Sequence, residues 1–344
     1  MNRISRIWFV AVVLLIGCAR VANSQDAKPP LRLVQTISLP NVKGRLDHMD
    51  VDVKGKRLFV AGLENGTFEV VDLQAGKWVR TILGFKKSQG ALFVPELNKL
   101  FLASGDDGMV RIFRGDTLEL LDSIQLELGP NRVVYEPKSK LVYVGYGGKD
   151  AGKDYGEIGI IDARQDKHVG DIKVVAHPSE LLLDKSGTNL FVFSSIADRV
   201  HAIDLTKRQI VSTWTVTSER PGDAAFDEST SRLFIGTRTP AEMIAMDSKS
   251  GKEIAHLPTA EGMDGVYFDS LRKRVYVSGG RGLPAGFAYV YQQKGADRYE
   301  TIGKISTRGG AGTSFWSPQL DRYYVAAPAT DKEEAAILVY APQE

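Results

Sequence analysis

A single cysteine, Cys18, in 344 residues leaves no partner for an intrachain disulfide, so the fold must rest on strand pairing and packing. No window sustains apolar residues at spacings of three, four and seven, which argues against long helices. No run of five basic residues occurs in the body of the chain, so composition makes no case for nucleic-acid or anionic-membrane binding. Catalytic signatures are missing: there is no GxSxG, no GxxxxGK[ST] and no HExxH. The five histidines, His48, His168, His177, His201 and His256, are scattered singly, with no pair at metal-ligand spacing. Gly145, Gly147 and Gly148 precede a strand pattern rather than a helix, which speaks against a phosphate loop. Asp50 and Asp52 alternate with valine on a strand, unlike a calcium loop with its turn-forming glycine.

What the chain does have is one phrase repeated seven times: a polar start, an apolar strand, a turn, a second strand, and a third strand ending in an acidic or aromatic residue. The clearest copy runs from Asp47 to Ile82. Third strands end at Asp72, Arg114, Asp162, Asp204, Asp247, Tyr291 and Tyr340, at intervals of 42, 48, 42, 43, 44 and 49 residues. Second strands recur as LFVA from Leu58, LFLA from Leu100, VYVG from Val142, LFVF from Leu190, LFIG from Leu233, VYVS from Val275 and YYVA from Tyr323. A four-stranded unit with strands of ~5–6 residues and tight turns needs about that much chain. The repeat therefore predicts an all-β fold, a seven-bladed β-propeller with four antiparallel strands per blade.

The first six blades each supply a fourth strand, such as WVRTILGF from Trp78, but the chain stops just after the third strand of the last. Leu31–Leu39, LRLVQTISL, resembles the fourth strands and precedes the first blade. Pairing it with the last blade would close the ring and hide two edges; the alternative is an extra edge strand on blade one. Although length alone would suggest about two domains, the unbroken repeat makes residues 31–344 a single propeller domain.

The N-terminal residues read differently. MNRISR carries Arg3 and Arg6 and no acid, and Ile7–Gly17 is an apolar run of eleven residues. That is short for a bilayer span and fits the apolar region of a signal peptide within residues 1–24, followed by a tether to about residue 30. Leu15-Ile16-Gly17-Cys18 resembles the lipobox of bacterial lipoproteins, in which the cysteine is lipidated; the competing expectation is ordinary cleavage after Ala19 or Ser24. The formal charge of +2 resides in Arg3 and Arg6, so the mature chain is neutral. The expected location is outside the inner membrane, periplasmic or lipid-anchored to the cell envelope, with no other membrane contact and a monomeric state.

Propeller geometry assigns the starts of the inner strands, and the loops between second and third strands, to one face. The three long loops, Tyr146–Glu157, Gly279–Gly286 and Ala327–Ala335, are all of that second-to-third type, so that face is the expected working face. Aligned on the second strands, the inner strands begin Asp47-His48, Gln89-Gly90, Asn131-Arg132, Ser179-Glu180, Gly222-Asp223, Asp264-Gly265 and Gly312-Thr313. The candidate ligand-binding residues at the channel mouth are Asp47, His48, Gln89, Asn131, Arg132, Glu180, Asp223, Asp264 and Thr313. Two readings stand beside each other. The ring either satisfies itself, for example through an Arg132–Glu180 ion pair between adjacent blades, or converges on a small polar ligand or a metal. His177, in HPSE, reads equally as a loop hydrogen-bonder or a base.

RLFVAGLENGTFEVVDLQAGK at Arg57–Lys77 resembles the YVTN-type repeat, and GRLDHMDVD (Gly44–Asp52), VYVGYG (Val142–Gly147), AHPSELLLDKSG (Ala176–Gly187) and YVSGG (Tyr276–Gly280) resemble exported YncE-like seven-bladed propellers of bacteria. The likeness covers Leu31 to Tyr340. It implies an exported binding or interaction module; DNA binding, reported for one such protein, finds no basic stripe here. Arg114, Tyr291 and Tyr340 depart from the acidic strand end and mark divergent blade turns. The expected function is thus a non-enzymatic propeller, without catalytic residues or cofactor, that binds a partner protein or small polar ligand at its top face. The alternative is a metal-dependent lactonase or lyase with a divalent ion on Asn131, Glu180, Asp223 and Asp264; a purely structural envelope protein is the third reading.

Overall fold

The computed structural model describes residues 28–344, and the signal-peptide, cleavage and Cys18 lipidation expectations lie outside the described residues. Seven four-stranded antiparallel sheets follow one another around a ring. Blade one is typical, with strands Met49–Asp52, Arg57–Gly62, Thr67–Asp72 and Lys77–Ile82 from the centre outwards. The inner strands of the other six are Ser88–Val94, Val133–Glu136, Glu180–Leu183, Ala224–Asp227, Met263–Asp269 and Ser314–Ser317. Each inner strand adjoins the next, and the last adjoins the first.

The acidic end of the third strand has a local cause. Asp72 Oδ1 accepts the backbone N–H groups of Gln74 (2.9 Å) and Ala75 (2.8 Å), which folds the chain into the fourth strand. Asp162, Asp204 and Asp247 do the same for the residues two and three places on. Where Arg114 stands instead, the turn closes by Leu118 N–H donating to Arg114 O at 2.9 Å. At Tyr291 and Tyr340 the strand simply runs on, to Gly295 and Pro342.

Apolar clusters sit between consecutive blades rather than within one. Phe59 and Phe68 of blade one pack with Leu100 and Leu102 of blade two, all fully buried. Trp316 lies 5.3 Å from the ring of Tyr276 in the preceding blade, whereas Trp214 stacks on Phe191 within blade four. Trp78 is also tied by its Nε1–H to Glu69 at 2.8 Å.

Leu31–Leu39 is the outer strand of the last blade. It pairs antiparallel with Ala335–Pro342, from Leu31 opposite Pro342 to Leu39 opposite Ala335. Two of its three buried side chains, Ile37 and Leu39, enter one cluster with Leu58 and Val60 of blade one and Tyr324 and Ile337 of blade seven, while Leu31 packs with Tyr276 and Tyr340. The strand thus closes the ring both by hydrogen bonds and by filling the seam between first and last blades.

Candidate functional site

The starts of the inner strands surround a concavity of about 570 Å³ at one end of the central channel. Two long loops overhang it: Tyr146–Glu157, through a 3-10 turn at Gly148–Ala151, contributes Lys149 and Asp150, and Gly279–Gly286 contributes Arg281. The third long loop, Ala327–Ala335, stays outside the cavity lining, and its Glu333 is held by Arg308 Nε at 3.0 Å.

Of the nine residues singled out from sequence, Asp47, His48, Gln89, Asn131, Asp223 and Asp264 line the cavity. Arg132, Glu180 and Thr313 do not: they lie outside its lining and act as supports. Thr313 is buried and spans the last seam, its hydroxyl donating to Leu46 O at 3.3 Å beside Asp264 Oδ2 at 3.4 Å.

A directed chain of hydrogen bonds ties the channel together. Arg132 Nε stands 2.8 Å from Glu180 Oε1, and Arg132 Nη1 donates to His48 Nδ1 at 3.0 Å. Guanidinium has no acceptor, so His48 must carry its proton on Nε2, which donates to Asn131 Oδ1 at 3.1 Å. Asn131 Nδ2 then faces His177 Nε2 at 3.5 Å, leaving His177 Nδ1–H to donate to Gly147 O at 3.0 Å. Burial holds His177 below the usual histidine range, in keeping with this neutral form. Burial also raises Glu180 to about 8 against the pull of Arg132, with Asp223 adding to the rise. Lower in the channel, burial raises Asp50 to about 6, although its carboxylate accepts the N–H groups of Phe93 (2.6 Å) and Val51 (2.8 Å).

On the other side of the mouth, three guanidiniums share one carboxylate. Asp264 receives Arg45 Nη2 at 3.0 Å and Arg238 Nη2 at 2.6 Å, and Arg281 Nη1 lies 3.5 Å away. Burial alone would raise Asp264, but the three arginines hold it below the usual carboxylate range. Arg45 also bonds Asp47 at 3.0 Å, while its Nε is buried without a hydrogen-bond partner, as is Gln89 Oε1. Asp223 differs from the other acids: it is buried at 6% exposure, faces the cavity, and among the described residues has neither a side-chain hydrogen bond nor an ion pair. Burial raises it above the ordinary range.

Several lining residues were missed from sequence, and the missed signal is positional. Two places before each aligned strand start stand Arg45, Lys87, Gly129, His177, Arg220, Gly262 and Gly310. Three blades put a cationic side chain there, one a histidine, and three put glycine. Extending the alignment by two residues exposes the pattern. Arg238 and Arg281 sit in loops between second and third strands, where only the length of the second loop stood out.

The set proposed for a divalent ion does not assemble. Among the described residues no three His, Cys, Asp or Glu side chains converge as metal ligands. Glu180 is turned to Arg132 and Asp264 to three arginines, so two of the four donors already face cations.

Fold and site together define a seven-bladed β-propeller with a polar cavity at its channel mouth, an arrangement consistent with a binding role. No family model and no curated protein matches the sequence. Solved structures match over nearly the whole chain. A chain of the Kuenenia stuttgartiensis hydrazine synthase is similar with a TM-score of 0.74 at 15% identity, covering 94% of this chain and 99% of that one. A chain of a mitotic checkpoint complex is similar with a TM-score of 0.74 at 12% identity, covering 100% of this chain and 99% of that one. At such identities the likeness concerns the fold.

Proposed function

We propose that this protein is an exported, non-enzymatic propeller that binds a small polar ligand in the mouth of its channel. The observation that carries the reading is Asp223. Its carboxylate has no protein donor and faces a cavity rather than packed atoms, so it is free to accept hydrogen bonds from a ligand. At about 570 Å³ the cavity has the size of a small-molecule site, and its lining of charged and amide groups favours a ligand with hydrogen-bond donors over an apolar one. The hydrogen-bonded chain from Arg132 to Gly147 keeps His48 and Asn131 in fixed orientations, so the floor of the cavity is pre-organised. Export is supported by the N-terminal pattern of Arg3, Arg6 and Ile7–Gly17 and by the resemblance of Leu31–Tyr340 to exported YncE-like propellers.

The test compares small molecules released by denaturing purified wild type and Asp223→Ala, identified by mass spectrometry. Wild type should retain a polar compound that the variant loses, with the variant's circular dichroism and melting temperature not reduced. Identical release from both proteins, or none from either, would overturn the reading and leave the mouth as a self-satisfied polar ring.

A further inference from the structure

We infer that the rim of blades five and six is an oxyanion subsite, formed by Arg220, Arg238 and Arg281, that receives a carboxylate or phosphate group of the ligand. The inference rests on the mouth-binding reading and specifies the ligand's charge.

These three arginines line both the channel-mouth cavity and a second concavity of about 580 Å³ beside it, where Glu261 is the only acidic lining residue. They come from three separate loops: Arg220 from the entry to the inner strand of blade five, Arg238 and Arg281 from the second-to-third-strand loops of blades five and six. Only Arg238 is firmly engaged, through Asp264 at 2.6 Å and Met263 O at 3.2 Å. Arg281 stands 3.5 Å from the same carboxylate without a hydrogen bond, and is 40% exposed. The Arg220 side chain has neither an ion pair nor a hydrogen bond among the described residues. Asp264 is the carboxylate that Arg45, Arg238 and Arg281 all approach, Asp47 also pairs with Arg45, and Glu219, Asp223 and Glu261 line the same two concavities without pairing to an arginine. Arg220 and Arg281 thus keep guanidinium donors that no protein acceptor engages, in the planar fork that suits carboxylate and phosphate oxygens.

The backbone supports this assignment. Arg220 adopts φ +58°, in the left-handed region, at the position where blades three, six and seven have Gly129, Gly262 and Gly310 at φ +91°, +60° and +77°. A side chain is disfavoured in that conformation, so a guanidinium occupies a place where glycine is the less strained choice. Lys87 shares that backbone, at φ +63°, but its ammonium is already committed to Asp150 at 3.1 Å and Asp106 at 3.4 Å. Lys87 is therefore the internal control: basic, on the mouth, and spoken for.

The experiment is calorimetric titration of the purified protein with inorganic phosphate and, separately, with succinate, at constant ionic strength set by chloride. Wild type should bind at least one of the two, and the stronger binder identifies the oxyanion. Loss of one charge-assisted donor set should weaken binding about 10- to 100-fold in Arg281→Gln and Arg220→Gln, with little change in Lys87→Gln. Both arginine variants sit on exposed loops, so far-ultraviolet circular dichroism should be unaltered. Binding weakened by Lys87→Gln and not by the arginine variants would move the anion to the opposite side of the mouth and overturn this subsite. Absence of binding to either anion would overturn it as well, while retention of a polar compound dependent on Asp223 would still leave the mouth reading standing.

Discussion

Truncating Ile37 to alanine tests the closure of the ring. The side chain is 1% exposed and bridges blade seven, of which it is part, to Leu58 and Val60 of blade one. Removing three carbons at about 0.8 kcal/mol each forfeits about 2.4 kcal/mol of transfer free energy. The cavity left between two sheets that cannot collapse independently should bring the cost to about 3–4 kcal/mol. Val34 is the reference, in the same strand but 38% exposed, and its truncation should cost less than about 1 kcal/mol. Guanidinium unfolding followed by tryptophan fluorescence and circular dichroism measures both. The pairing itself can be tested by placing cysteines at Ser38 and Ala336, which face each other across the two strands. Their oxidation should yield one intrachain disulfide, because cross-strand Cβ atoms lie about 4.5–5.5 Å apart. Equal cost for Ile37→Ala and Val34→Ala, together with failure of the cysteines to join, would refute closure by the N-terminal strand.

Two further outcomes follow. Glu180 binds its proton more tightly in the folded chain, at about 8, than an ordinary glutamate does when unfolded. Its contribution to stability is therefore present at low pH and is lost as pH rises through about 8; Asp223, also raised by burial, acts in the same sense. Melting temperature should fall between about pH 5 and pH 8 more steeply in wild type than in Glu180→Gln, and equal slopes would show that this carboxyl is ionised throughout. At the N-terminus, radiolabelled palmitate should be incorporated by the wild type and not by Cys18→Ala in a bacterial host; no label in either would favour cleavage after Ala19 or Ser24.

The ring was legible because the strands carry their own signals: apolar alternation, a β-branched second strand and, in four blades, an aspartate that captures the amides two and three places on. Leu31–Leu39 could be placed because the last blade lacked a strand and this segment had the right character. The site was legible only by position. Alignment found Asp47, His48, Gln89, Asn131, Asp223 and Asp264 because inner strands start at a common height. It could not separate Asp223, which is unpartnered, from Asp264, which three arginines neutralise, because those arginines come from blades one, five and six and meet only in space. Arg132 and Glu180 were correctly expected as a pair, yet they support the cavity rather than line it. Side-chain direction at one strand position is set by which neighbour offers a counter-charge, and a linear repeat does not encode that.

The closing strand also gives the molecule an orientation. Leu31 begins opposite Pro342, with Gln343 N–H donating to Pro30 O at 2.9 Å, so both ends of the described chain meet at one spot on the outer rim. From there Leu31–Leu39 climbs toward Arg45 and Asp47, which means that spot lies on the face opposite the cavity. The described chain therefore both begins and ends on the side of the ring away from the open mouth.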